Sequence, residues 1–144
     1  MPLLPRKGVL AVAAVIDVAM QEHGQPISAK TLAERHGLPP RHLEPVLQAL
    51  VRCGILRGIR GPRGGYELAR ERRRVTANDI LRAAGSVDEN ETAQNGSELL
   101  LKVVLPAMAT AEYEFGIALA RINLEDMTRD ALALAKASRG TARP

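Results

Sequence analysis

A mostly α-helical fold with one small β-hairpin is predicted by three features of this 144-residue chain. The first is composition. Hydrophobic residues make up 46% of the chain, yet there is no tryptophan, one phenylalanine and two tyrosines. A core of Leu, Val, Ile and Ala suits packed helices, and so few aromatics argue against a stacking platform for single-stranded nucleic acid. The second is apolar spacing of three and four residues in several stretches, each bounded by capping or breaking residues. The third is residues 50–69, where two short apolar runs flank a loop with Gly58, Gly61, Gly64, Gly65 and Pro62. Glycine tolerates positive φ and proline presets a turn, so this segment reads as a hairpin with a long tip.

Residues 7–23 form the first predicted helix, with Val9, Val12, Ala13, Ile16 and Met20 as its inner face. Its apolar stretch contains Asp17 and is short for a bilayer span. Ser28 caps a second helix, which turns Leu32 and Ala33 inward and stops at Gly37. Pro39 and Pro40 restart the chain. The third helix places Leu43, Val46, Leu47 and Leu50 on one stripe, with Arg41, His42, Glu44, Gln48 and Arg52 largely elsewhere. Pro45 predicts a local irregularity, not a break. Cys53 falls on the apolar side and reads as a small buried hydrophobe, and the helix ends at Gly54.

After the hairpin, the charge run from Arg70 to Arg74 reads as a solvated connector. Thr76 caps a fourth helix, with Asp79 returning the bond, and Ile80, Leu81, Ala83 and Ala84 face inward. Residues 86–98 are polar and acidic, a mobile connector. Residues 99–122 are a long, very apolar helical pattern in which Pro106 marks a kink or a new start. Leu105, Met108, Ala109, Tyr113, Gly116, Ile117, Ala120 and Leu124 form a candidate seam. Asn123 caps a last helix, with Asp126 at the capping-box position, carrying Leu132 and Leu134; residues 138–144 read as a frayed tail.

Two helices joined at Gly37 and followed by an arginine-bearing hairpin make a winged helix-turn-helix, spanning residues 1–85. Charge supports a polyanion partner there. Residues 1–85 carry 14 Lys/Arg against 7 Asp/Glu, whereas residues 86–144 carry 6 against 9. The second helix of such a unit enters a DNA major groove, and a slim basic wing tip suits the backbone or a minor groove. Candidate contacts to double-stranded DNA are Ser28, Lys30, Arg41, His42, Glu44 and Gln48 from the helices. From the wing they are Arg57, Arg60, Gly61, Arg63, Gly64 and Gly65. Glu44 suits a cytosine amino group, or else pairs with Arg41 or Arg52. The helices of residues 99–137 are expected to form a homodimer through Leu105, Met108, Tyr113, Ile117 and Leu124.

Other chemistry is sparse. Cys53 alone excludes an intrachain disulfide and is compatible with a reducing cytoplasm. His23, His36 and His42 lack metal-ligand spacing. No phosphate-binding glycine loop opens a helix, and no nucleophile–base pair is visible, so no enzyme, cofactor or metal site is expected. Neither a secretory signal nor a run of about eighteen apolar residues is read, so no membrane partner is expected.

The chain resembles the Rrf-two family of winged-helix transcription regulators, which includes the IscR, NsrR and CymR types. The likeness runs from the first helix to about Ala137. It rests on Leu43-Glu44, on the hairpin Arg60-Gly61-Pro62-Arg63-Gly64-Gly65-Tyr66-Glu67-Leu68-Ala69, and on Ile122-Asn123-Leu124-Glu125-Asp126. The resemblance implies a homodimer with crossed long helices, Arg60 in the minor groove, and Arg41, His42 and Glu44 toward the major groove. Many members carry three cysteines that ligate an iron–sulfur cluster. Residues 86–106 of this chain hold no cysteine or histidine, so that mechanism does not carry over. The expected function is a cytoplasmic, sequence-specific repressor acting without a cluster, its effector a small molecule, a protein or Cys53 oxidation. The alternatives are a protein-interaction module and a ligand-bearing sensor that does not itself bind DNA.

Overall fold

The computed structural model describes residues 4–21, 24–85 and 96–141. The chain forms α1 (Arg6–Ala19), α2 (Ala29–Arg35), α3 (Pro40–Arg52), β1 (Leu56–Ile59) and β2 (Gly65–Leu68). A 3-10 turn (Arg72–Arg74), α4 (Ala77–Gly85), a π-helical turn (Leu100–Val104), α5 (Leu105–Ala120) and α6 (Leu124–Thr141) follow. This is the helical fold with a single antiparallel hairpin that the sequence predicts. The expected helix end at His23, residues 86–95 of the acidic connector and residues 142–144 of the tail lie outside the described residues.

Capping chemistry draws the helix-turn-helix. Ser28 Oγ accepts from Thr31 N–H at 3.1 Å, satisfying one free donor at the start of α2. At the other end Gly37 takes φ 64°. Its N–H donates to Glu34 O, and Leu38 N–H donates to Ala33 O at 2.9 Å, the paired bonds of a left-handed helix stop. The same two bonds recur at Gly54, φ 74°, to Val51 O and Leu50 O. Between these stops α3 runs unbroken through Pro45. The proline ring leaves Arg41 O without its usual helical donor, which is the extent of the irregularity. Leu43, Val46, Leu47 and Leu50 are buried as predicted, together with Ile55, Leu56 and Ile80 from the elements around them.

α1 is rotated from its expected phase. Gly8, Ala11, Ala14, Val15 and Val18 are buried, whereas Val9 is 48% exposed and Val12 and Ile16 only flank the core. The cause is close approach to α4. A β-carbon at residue 8 would lie 2.7 Å from Leu81 Cδ2. A helix apolar nearly all round turns its smallest side chains to its nearest neighbour.

The C-terminal helices return to this body. Thr76 and Asp79 form the predicted reciprocal cap, at 3.0 and 3.2 Å. Thr76 is also bridged to Asn123: Ala77 N–H donates to Ile122 O at 2.9 Å and Leu124 N–H to Val75 O at 2.8 Å. Asn123 Oδ1 accepts from Glu125 N–H, and its Nδ2 donates to Arg73 O, both at 2.7 Å. Asp126 leaves the capping to Asn123 and lies 3.7 Å from Arg129. Leu124 is fully buried in its own chain's core, which removes it from any dimer seam. Thr128 is buried beside it, its hydroxyl spent on Leu124 O. Leu132 and Leu134 stay on the surface, and α6 is helical to Thr141, past the expected fraying point.

α5 is the exception to burial. No residue along it is buried in the protomer. Leu105, Met108, Tyr113 and Ile117 remain exposed, as do Leu99 and Val103 before it. Pro106 lies in its first turn and marks a new start. It has no N–H to continue the ladder, and Leu105 N–H reaches Leu100 O in the wider turn that precedes it. Residues Leu100–Ala120 are long and apolar enough to cross a membrane by length and composition alone, which corrects the expectation that no such run is present.

The hairpin pairs Leu56 with Leu68, Arg57 with Glu67, Gly58 with Tyr66 and Ile59 with Gly65. It is docked on the segment that enters α2. Tyr66 N–H donates to Ile27 O at 2.8 Å, and Ile27 N–H to Tyr66 O at 3.0 Å. A β-carbon on residue 65 would lie 2.3 Å from Ile27 O, and its φ of 151° favours glycine. Gly65→Ala is therefore expected to cost about 1–3 kcal/mol or more of stability in urea denaturation. Gly58→Ala, which meets nothing within 4 Å, should shift the midpoint little. Equal midpoints for the two variants would refute this account of wing docking.

Candidate nucleic-acid interface

Three elements converge on one side of the body. The outer side of α3 presents Arg41, His42, Glu44 and Gln48, all exposed. The hairpin stands beside it, joined by Gln48 Nε2 donating to Tyr66 Oη at 3.3 Å. The wing tip, residues 62–64, borders one cleft with Ser28, Thr31 and Arg35 of the α2 region. The hairpin is thus linked to α3 through Gln48 and to the start of α2 through the wing-tip cleft.

Across these elements the predicted residues divide by what already occupies them. Arg41, Arg60 and Arg63 are exposed and make no ion pair among the described residues, leaving guanidinium groups for an anionic partner. Glu44 is exposed and pairs with neither Arg41 nor Arg52, the structural alternative considered for it. Lys30 is exposed on α2. Ser28 spends its hydroxyl on the cap, accepting from Thr31 N–H and donating to Thr31 Oγ1 at 2.9 Å. Gly61, with φ 114°, accepts from Gly64 N–H at 2.9 Å and turns the tip. Gly64 has no room for a β-carbon, which would sit 2.1 Å from Ile59 O. The glycines shape the tip and the arginines charge it.

Arg57 separates from the group. Neighbours along a strand alternate faces, so Arg57 lies on the hairpin side opposite Gly58 and Tyr66. Its Nε donates to Glu67 Oε1 at 2.9 Å, and it lines a cleft with Gln21, Arg72 and Leu132. The arginine run is built into the fold as well. Arg70 Nη2 donates to Cys53 O at 2.8 Å and its Nε to Gly54 O at 3.1 Å, covering the carbonyl end of α3 where a cation is favoured. Arg73 pairs with Glu71 at 2.7 Å.

Sequence reasoning missed Arg6 and Lys7. They stand at the start of α1, yet line one cleft with Arg41 and His42 at the start of α3. Only the packing of α1 brings them there; their basic character was the sole signal in the sequence. Cys53 corrects another expectation. It caps the end of α3, past the apolar stripe, and is exposed.

The chain belongs to the Rrf-two family. The family model, described as Rrf2, iron-dependent transcriptional regulator, matches residues 4–130. A Synechocystis sp. protein assigned as an HTH-type transcriptional regulator is 34% identical over 130 residues, covering 89% of this chain and 88% of that one. Among solved structures, IscR of T. potens superposes with a TM-score of 0.66 at 31% identity, covering 89% of this chain and 87% of that one. CymR, the global cysteine regulator of B. subtilis, gives 0.65 at 26% identity over 90% and 98% of the two chains. The protein is thus a transcriptional regulator of the Rrf2/IscR type, and its relatives are regulators, not enzymes.

The family description names iron. This chain's donors do not fit a thiolate-held cluster: the sequence has one cysteine, and it lies at the end of α3. Among the described residues no three His, Cys, Asp or Glu side chains gather in a metal-binding group. Asp88, Glu89 and Glu91 lie outside the described residues, and their hard oxygens suit a soft cluster poorly.

Proposed function

We propose that the protein is a sequence-specific, double-stranded-DNA-binding repressor that acts in the cytoplasm as a homodimer, without an iron–sulfur cluster. One observation carries the reading: Arg60 and Arg63 on the wing tip and Arg41 on α3 are exposed cations with no ion pair among the described residues, on two elements that are hydrogen-bonded to each other. In this reading α3 lies in the major groove, with Arg41, His42, Glu44 and Gln48 toward base edges and Lys30 toward the backbone. The wing tip, led by Arg60, follows the adjoining minor groove. Glu44 repels phosphate, so it serves selectivity more than affinity. A compact dimer on a promoter represses by excluding polymerase.

The apolar surface of α5 supports a second copy as the partner. A bilayer would surround Glu112 and Glu114 near the middle of the helix, at a cost of a few kcal/mol for an acidic group there. A second α5 covers Leu105, Met108, Tyr113 and Ile117, while Glu112 lines a cleft with Asn78 and Arg82 of its own chain. A small-molecule or protein effector then acts on this dimer in place of a cluster.

Duplex binding is tested by fluorescence anisotropy across salt. Affinity should fall steeply as salt rises, because each Lys/Arg–phosphate contact releases a counterion; no binding to genomic duplexes at low salt would refute the reading. Light scattering should give twice the chain mass. Met108→Glu, at a position 57% exposed in the single chain, should yield a folded monomer; an unchanged dimer would exclude the α5 seam. Anaerobically purified protein should be colourless, and stoichiometric iron and sulfide on analysis would restore a cluster-sensing mechanism.

A further inference from the structure

Tyr66 stands where the wing meets both other elements of the candidate interface. Its backbone pairs in both directions with Ile27, at 2.8 and 3.0 Å, one residue before the Ser28 cap of α2. Its hydroxyl accepts from Gln48 on α3 at 3.3 Å. Its cross-strand partner is Gly58, which offers no side chain on that face. Tyr66 is therefore the wing residue that reaches α3 by a hydrogen bond, and its own O–H proton is not used in that bond.

We infer that Tyr66 is a positioning residue, which holds the wing at a set angle to the recognition helix through Gln48 and so couples the minor-groove and major-groove contacts. The inference rests on the DNA-binding reading above and deepens it. Buried Leu56 and the Ile27 backbone fix the base of the wing, which leaves the angle of its exposed far end to be set. The Tyr66–Gln48 bond closes the third side of the triangle formed by the α2 entrance, the wing and α3. Holding two contacting elements in register before they meet DNA saves ordering cost on binding. The bond is exposed, so it matters little to folding and shows itself in binding.

The experiment uses full-length protein and a labelled duplex carrying the motif that wild-type protein selects from random DNA. Tyr66→Phe keeps the ring and removes the hydroxyl. Its thermal midpoint should match wild type, while affinity falls about 2–10-fold, the size of one net hydrogen bond. Gln48→Ala, at an exposed position, should cost at least as much. The double variant should be no worse than Gln48→Ala alone, because both break one coupling. Hydroxyl-radical footprints should lose protection at the wing's minor groove while the α3 footprint persists.

An affinity for Tyr66→Phe within twofold of wild type, losses that multiply in the double variant, or an unaltered wing footprint would overturn the inference and leave the DNA-binding reading standing. Wild-type protein that selects no motif and binds no duplex would overturn both.

Discussion

Residue 65 has to be a glycine for the wing to reach the rest of the domain. The backbone of Ile27 passes so close that a β-carbon there would sit 2.3 Å from its carbonyl oxygen. That approach permits the exchange of bonds between Ile27 and Tyr66. Ile27 immediately precedes the Ser28 cap, so the residues that start α2 also anchor the hairpin. The far end of α3 is held by Arg70, whose guanidinium closes the carbonyls there and lies 3.8 Å from the Asp79 carboxylate in the cap of α4. A two-stranded ribbon is marginal by itself. Here it is fastened to α2 by its backbone and to α3 by a side chain, and so belongs to a three-part unit.

What the sequence made legible was local chemistry. Ser28, Gly37, Gly54 and the Thr76–Asp79 pair announce their turns because each satisfies backbone groups a few residues away. The α3 stripe was readable because polar residues separate its apolar positions. The phase of α1 was not, because almost every residue there is apolar and periodicity has no contrast to work with. Its choice of face depends on Leu81, far along the chain, fitting over Gly8. Leu124 failed for a related reason. It continues the spacing of the α5 seam, but the pairing of residues 75–77 with 122–124 ends one helix and turns the next into the core.

The candidate interface was legible to a similar extent. Residue types and spacing pointed to Arg41, Glu44 and Arg60, which are exposed on their elements. Strand alternation, which was open to sequence reasoning, puts Arg57 on the far side of the hairpin, and Glu67 opposite it completes an ion pair. Arg6 and Lys7 were beyond reach, since their place beside Arg41 follows from α1 packing. Cys53 sits just past the stripe, at the residue where α3 has already begun to turn out of its helix, so extrapolating the helical phase put it inside.

The same clasp that buries Leu124 fixes the base of α5 to the three-part unit. Ile122 and Leu124 are bonded to Ala77 and Val75, and Asn123 holds Arg73. Arg73 lies in the short run that begins at Arg70, the residue closing α3. A continuous chain of backbone bonds and side-chain caps therefore runs from α3 to the foot of the apolar helix. In the proposed dimer built through α5, the angle between the two copies of that helix would set the distance between the two α3 helices. In the proposed dimer, an effector that alters how the α5 helices cross would change that distance without touching Arg41, Glu44 or Arg60. In the proposed DNA-binding dimer, this mechanical link would carry a signal from the α5 seam to α3 without any thiolate ligand.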